Sequence, residues 1–352
     1  SPRMVSWYAH VYIWGRELRR KRPVIGWLVQ RSFNVFLAIE LVLLCLQLYV
    51  YVKLVCFDLL TSNIQVAVYF SVECLILFMM LWSLAQAFWT RASDIPSVYK
   101  VHPDLDARLR AVTPFKGERA ALAESTELQV LLEMVQKSGR LFAETDAVGR
   151  PRYCYTCRVL KPDRAHHCSS CSACSLKFDH HCPYINACVA FHNYKHFVLF
   201  LCYLEAHLVW MTATSIEAII RHFQQDSSSE STGALLLILF VIVPMGILIV
   251  MPIGNLVKYH LELICINETT CEQAKETRIR DDPSANYNKG RALNMEAVFG
   301  RFLWLLPVKT DVVDGMHHEV VYKAVGIDRF VVAPHQVEPP AVAVNPARSD
   351  RG

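Results

Sequence analysis

Four long apolar runs interrupt an otherwise polar chain, at about residues 34–57, 64–89, 196–220 and 233–259. A helix that crosses a bilayer needs roughly 20 consecutive apolar residues. One such run can be the buried helix of a soluble protein, but four in one chain predict an α-helical polytopic membrane protein with four transmembrane helices. Glu40, Glu73, Glu205 and His207 fall inside these runs. Ionisable groups are costly in hydrocarbon, so they are expected to face the bundle interior. There they either bond helix to helix or line a cavity. Pro244 and Gly246 predict a kink or a thin place in the fourth run.

Basic residues next to the runs set the orientation. Arg16, Arg19, Arg20, Lys21 and Arg22 precede the first; Arg91 and Lys100 follow the second; Lys195 precedes the third; Lys258 and Lys275 lie at or after the fourth. The link 58–63 has no Lys or Arg, and the link 221–232 has one. Both termini and the segment between helices 2 and 3 are therefore expected in the cytosol. The basic cluster at 16–22 also suits contact with anionic lipid.

The chain divides into a cytosolic N-terminus (1–33), helices 1 and 2 (34–89), a linker with a packing helix (90–152), a cysteine-rich domain (153–195), helices 3 and 4 (196–259), a membrane-proximal block (260–310) and a tail read as largely disordered (311–352). In the linker, Thr126 and Gln129 read as a capping box that starts a helix, and Gly139 as its end.

Composition agrees with a membrane location. The chain is 53% hydrophobic and 19% charged, where soluble proteins carry about 25% charged residues. A net charge of +4 is too small to argue for a nucleic-acid partner.

Thirteen cysteines are present, and seven lie between Cys154 and Cys188. The cytosol is reducing, so disulfides do not explain this density. Cys and His at this spacing point to zinc, and each structural zinc takes four ligands. Cys154 with Cys157, and Cys168 with Cys171, read as ligand pairs. His166, His167, His180 and His181 join the seven cysteines to give more than the eight ligands that two sites need. Spacing alone leaves open which residues are spared. Asp179-His180-His181-Cys182 sets a carboxylate, an imidazole and a thiol within four residues. A thiolate is the reactive form of cysteine, and a neighbouring His favours it, with a carboxylate to orient the ring. The same four residues also read as purely structural, with Cys182 a spare thiol or a further ligand.

Asp179-His180-His181-Cys182-Pro183 inside this cysteine pattern resembles the DHHC-type protein acyltransferases. Lys161-Pro162-Asp163-Arg164-Ala165-His166-His167-Cys168, Asn193-Tyr194-Lys195, Thr269-Thr270-Cys271-Glu272 (a TTxE motif) and the block from Tyr287 to Gly300 around Asn294 are also similar to that family. Tyr184, Ala187 and Ala190 depart from its usual pattern, and Ile95-Pro96 interrupts a DPG motif. The resemblance implies a cytosolic zinc-binding domain between helices 2 and 3. In it Cys154, Cys157, His167 and Cys174 hold one Zn2+, and Cys168, Cys171, His181 and Cys188 hold a second. Asp179, His180 and Cys182 are left as catalytic residues.

By the same resemblance the chain is a protein S-palmitoyltransferase using acyl-CoA. It works in two steps on proteins with membrane-proximal cysteines, at the Golgi, endoplasmic reticulum or plasma membrane. Lys161 and Arg164 are expected to meet the CoA phosphates, Thr270 to bond near Asp179, and Asn294 to satisfy backbone groups. The rival readings are a non-enzymatic zinc-binding membrane adaptor and a transporter with a polar path through Glu40, Glu73, Glu205 and His207.

Overall fold

A computed structural model describes residues 35–333 apart from 91, 93, 113–119, 140–141, 147, 186, 225–242, 275–277, 280–281, 283, 310–314 and 324–329. Among the described residues, four helices are long and apolar enough to cross a membrane. Helix α1 (Val35–Val50) continues as a wider π-helical segment, Tyr51–Leu59. Helix α2 spans Asn63–Trp89 and starts at Ser62, whose side chain accepts from the Gln65 N–H at 3.4 Å. Two amphipathic helices follow, α3 (Pro103–Val112) and α4 (Ala120–Ser138). The third span is α5 (Tyr194–Gln224) and the fourth is α6 (Val243–Ile266).

Helix α5 is the centre of the bundle and packs on α2, on α6 and on the π-helical segment. Its C-terminal half closes against Tyr51, Val55, Cys56 and Leu59 through Met211, Ala218 and Ile219. The Tyr51 hydroxyl meets Thr214 Oγ1 at 2.9 Å in that core. Gly246 lets α6 approach α5, because a Cβ there would lie 1.9 Å from Thr212 Oγ1. Small residues at such crossings bring backbones together where lipid supplies no hydrophobic drive. Ile39, Val42, Leu75, Ile247, Leu248 and Met251 point outward, as a lipid-facing surface requires.

Of the ionisable residues in the spans, Glu73 and His207 meet between α2 and α5. Glu73 Oε1 and His207 Nδ1 are 2.7 Å apart, and both side chains are buried. This is the helix-to-helix bond. Glu205 is half-buried, with its carboxylate beside Gly254, and the Glu40 side chain lies outside the described residues.

Three expectations change. Helix α6 runs on to Ile266, past the expected end at 259, because Leu263 and Ile264 continue its buried stripe. Helix α4 begins at Ala120, so Thr126 lies within the helix and does not cap it; Gly139, at φ +61°, follows its last turn as expected. The tail is also more ordered than expected. Strands β7 (Val320–Lys323) and β8 (Phe330–Ala333) form an antiparallel hairpin. Their Val-rich sequence favours strands, and Val321 bridges to Asn286. Residues from 334 onward lie outside the described part.

Between α2 and α5 the chain folds into three two-stranded antiparallel hairpins: β1 (Tyr153–Cys154) with β2 (Val159–Leu160), β3 (His166–Cys168) with β4 (Ala173–Ser175), and β5 (His180–Cys182) with β6 (Ala187–Val189). Two short helices lie beyond α6: α7 (Thr270–Ala274) and α8 (Arg291–Phe299).

Candidate active site

The hairpins build two metal-suited clusters by register. In β3–β4, His167 lies opposite Cys174; in β5–β6, His181 lies opposite Cys188. Each cluster is completed by a Cys-x-x-Cys turn. The Cys157 N–H donates to Cys154 Sγ, and the Cys171 N–H to Cys168 Sγ, both at 3.4 Å. Arg158 and Ser172 follow these turns with φ of 56° and 51°, which curls both thiols toward one point.

The donor atoms of Cys154, Cys157, His167 and Cys174 all lie within 4.8 Å of one another, as do those of Cys168, Cys171, His181 and Cys188. His167 Nδ1 is 3.5, 3.3 and 3.7 Å from Sγ of Cys154, Cys157 and Cys174. His181 Nδ1 is 3.7, 3.4 and 3.9 Å from Sγ of Cys168, Cys171 and Cys188. Donors at the corners of a zinc tetrahedron sit about 3.5–3.8 Å apart. Both clusters fit that ion, with soft thiolates and one imidazole each.

Successive strand residues point to opposite faces. His167 and Cys168 are neighbours on β3, so they serve different clusters. The same alternation acts on β5. His181 turns to its cluster, and His180 and Cys182 share the other face.

That other face packs against the bundle. Cys182 is 5% exposed, among Ala87, Phe197, Val198, Leu201, Ile264 and Phe299. Asp179 is 2% exposed, and its Oδ2 lies 2.6 Å from His180 Nδ1. Burial alone would raise the Asp179 carboxyl; the bonds to His180 and Thr270 outweigh it and hold the group below its usual range. Burial disfavours the His180 cation, yet Asp179 and Cys182 beside it push its pKa up to about 9. Asp179 is thus bonded to His180, and His180 and Cys182 lie on the same face of β5, so carboxylate, imidazole and thiol follow one another in series.

A second layer holds Asp179. The Thr270 N–H donates to Oδ1 at 3.0 Å and its hydroxyl to Oδ2 at 2.6 Å. Thr269 caps α7 reciprocally with Glu272: the Thr269 N–H donates to Glu272 Oε2 at 2.9 Å, and the Glu272 N–H to Thr269 Oγ1 at 3.2 Å. Asn294 donates to the Cys265 carbonyl and to Asn288 Oδ1, both at 2.7 Å, and so ties α8 to the end of α6. Asn193 donates to the carbonyls of Cys188 and Ala87, at 3.0 and 3.3 Å, and fixes the last hairpin to the end of α2.

Arg164 does not face a phosphate. Its side chain is 0% exposed, and it donates through Nε and Nη2 to Glu272 and through Nη1 and Nη2 to Asn267. The Tyr287 ring lies under the guanidinium, 4.6 Å away. All three nitrogens are committed to the protein. Lys161 is half-buried. A shallow cleft beside Asp179 is lined by Lys177, His192, Lys195, Thr269 and Lys309. Glu272, Asn267 and Tyr287 were not singled out from the sequence for this support. The signal available was the reciprocal Thr269–Glu272 spacing of a capping box.

A family model for the DHHC palmitoyltransferase domain matches residues 147–277. The chain is 40% identical over 324 residues to Palmitoyltransferase spe-10 of Caenorhabditis elegans, covering 90% of this chain and 92% of that protein. The chain belongs to the DHHC palmitoyltransferase family. It is 31% identical to Palmitoyltransferase ZDHHC20-A of Danio rerio over 274 residues, 77% of this chain and 73% of that one. It is 29% identical to Palmitoyltransferase ZDHHC15 of Xenopus laevis, covering 76% of each. This DHHC protein is a multi-pass membrane protein S-acyltransferase, with protein-cysteine S-palmitoyltransferase activity.

Proposed function

We propose that Cys182 carries the acyl group as a thioester, with His180 as its base and Asp179 orienting the ring. The observation that carries this reading is that His180 and Cys182 share the face of β5 turned away from the Cys168–Cys188 cluster, with Asp179 on His180 Nδ1. In the first step Cys182 gives its proton to His180, and the thiolate attacks the carbonyl of a long-chain acyl-CoA such as palmitoyl-CoA. The bond to the CoA sulfur breaks, and CoA leaves as a thiol with the proton from His180. In the second step a cysteine of a protein substrate loses its proton to His180 and attacks the acyl-enzyme. Cys182 leaves and regains the proton. Each step exchanges one thioester for another, so thiol activation and positioning are what the enzyme must supply. General-base help of this kind is worth about 10²–10⁴-fold.

Two Zn2+ ions are the proposed occupants of the clusters. Four protein ligands leave no open position, so the metal supplies folding energy and rigidity. Cys154, Cys157, His167 and Cys174 hold one ion; Cys168, Cys171, His181 and Cys188 hold the other. For the CoA phosphates, Lys161 and the cleft with Lys177 and Lys309 replace Arg164 as the proposed contacts.

The same proposal has both termini and Cys182 on the cytosolic side of the Golgi or endoplasmic reticulum membrane, with membrane-proximal cysteines of other proteins as acceptors. A palmitoyl chain is worth roughly 0.8 kcal/mol per buried CH₂, so a site at the bilayer surface keeps the chain out of water. The test is labelling of the purified protein with a clickable acyl-CoA. Hydroxylamine-sensitive label is expected on the parent and absent from Cys182→Ser. Equal label on both would reject the assignment.

A further inference from the structure

Asp179 fixes only one nitrogen of His180, through the 2.6 Å bond to Nδ1. The terminal torsion of a histidine ring is soft, so one hydrogen bond leaves the ring plane free to swing. Something else must hold it. Two rings pack on His180 from the membrane helices. Phe197 of α5 meets it edge-on, with centroids 5.2 Å apart at 69°. His260 of α6 lies 6.0 Å away and is inclined by 37°. Phe197 and His260 also touch each other, at 5.3 Å and 79°.

His260 is itself anchored. It is 2% exposed, and its Nδ1 lies 3.2 Å from the Tyr194 hydroxyl. The Tyr194 and Tyr259 rings pack on it at 5.8 and 5.6 Å. The three-ring cage therefore joins β5, the first turns of α5 and the last turns of α6.

We propose that His260 is a positioning residue for acyl transfer: held by Tyr194, its ring forms with Phe197 the walls that keep the His180 imidazole turned toward Cys182. The inference rests on the proposed roles of His180 and Cys182. It adds a second imidazole that acts through packing, without touching the thioester. Small misplacements of reacting groups are expensive; about 1 Å can cost 10²-fold in rate.

The test is single-turnover acylation of Cys182 in the purified, zinc-loaded full chain, over a range of palmitoyl-CoA concentrations. His260→Ala is expected to slow the maximal rate by about 10-fold or more. The half-saturating concentration and the zinc content should stay at parental values. His260→Phe keeps the ring and is expected to restore most of that rate, whereas His260→Gln, which loses the ring, is not. If the alanine variant loses zinc, the comparison of Phe with Gln decides. A parental maximal rate in His260→Gln, or a Phe variant no faster than Gln, would overturn the inference. A parent that acquires no acyl group on Cys182 would instead overturn the catalytic reading on which it rests.

Discussion

Arg164 and Glu272 lie 108 residues apart in sequence and join in a buried pair, Nε to Oε1 at 2.7 Å and Nη2 to Oε2 at 2.8 Å. Glu272 also accepts from the N–H of Thr269, the cap of α7, and Thr270 in the same turn holds Asp179. The pair thus fixes the helix after the fourth span to the cysteine-rich domain, and Asp179 inherits its position from that joint. Burial alone would raise the Glu272 carboxyl; Arg164 beside it holds it below the usual range.

Breaking this pair from one side leaves a buried charge without its partner, which typically costs about 3–5 kcal/mol. Arg164→Met and Glu272→Leu are each expected to lower the unfolding temperature in detergent strongly. The double variant is expected to recover part of the loss. Thermal unfolding followed by tryptophan fluorescence measures this; strict additivity of the two losses would contradict the pairing.

Thr270 acts on Asp179 through two donors, of which only the hydroxyl can be removed by substitution. Thr270→Val is expected to slow Cys182 acylation by about 10-fold, the scale of one hydrogen bond to a charged group, with zinc content unchanged. Thr270→Ser keeps the donor and is expected to stay near the parent. Stopped-time acylation assays separate the two; an undiminished rate in the valine variant would remove the hydroxyl from the account.

Each cluster offers four donor atoms, the number a structural zinc takes. Cys157→Ala is expected to lower bound zinc from two to about one per chain and to reduce folding yield, because structural zinc contributes folding energy directly. Elemental analysis of the purified variant provides the check, and two full equivalents of zinc would reject the ligand set.

Inside the membrane, Glu73 and His207 form the buried pair between α2 and α5. Glu73→Leu leaves His207 buried against apolar neighbours and is expected to destabilise the bundle. Adding His207→Leu is expected to restore part of that stability, because a well-packed apolar pair often equals a buried polar one. Detergent-dependent unfolding of the two variants is the measurement. A double variant no more stable than Glu73→Leu would contradict the pairing.

The spans were legible because hydropathy over 20 residues is a cooperative signal that needs no tertiary knowledge. The zinc clusters were legible as a composition of ligands, but spacing could not divide them. Strand alternation does: neighbours such as His167 and Cys168 must face opposite ways, and only the hairpin register reveals which way. Arg164 was misread for a similar reason. A surface arginine and a buried one look the same in sequence, and its partners Asn267 and Glu272 lie more than 100 residues away. The β7–β8 hairpin was hidden because its two strands are four residues each, where period-2 patterns are too brief to read. His260 was hidden because it falls at the end of an apolar run, where one histidine carries no signal of the ring it will meet.

The central claim is that Cys182 stays off the metal and takes the acyl chain. Intact-mass spectrometry of the purified, zinc-loaded protein after incubation with palmitoyl-CoA tests it most directly. The account predicts one added acyl group, removed by hydroxylamine and mapped to Cys182 by peptide analysis. An adduct that persists in Cys182→Ser, or a parent that gains no acyl mass while loaded with both zinc ions, would contradict it.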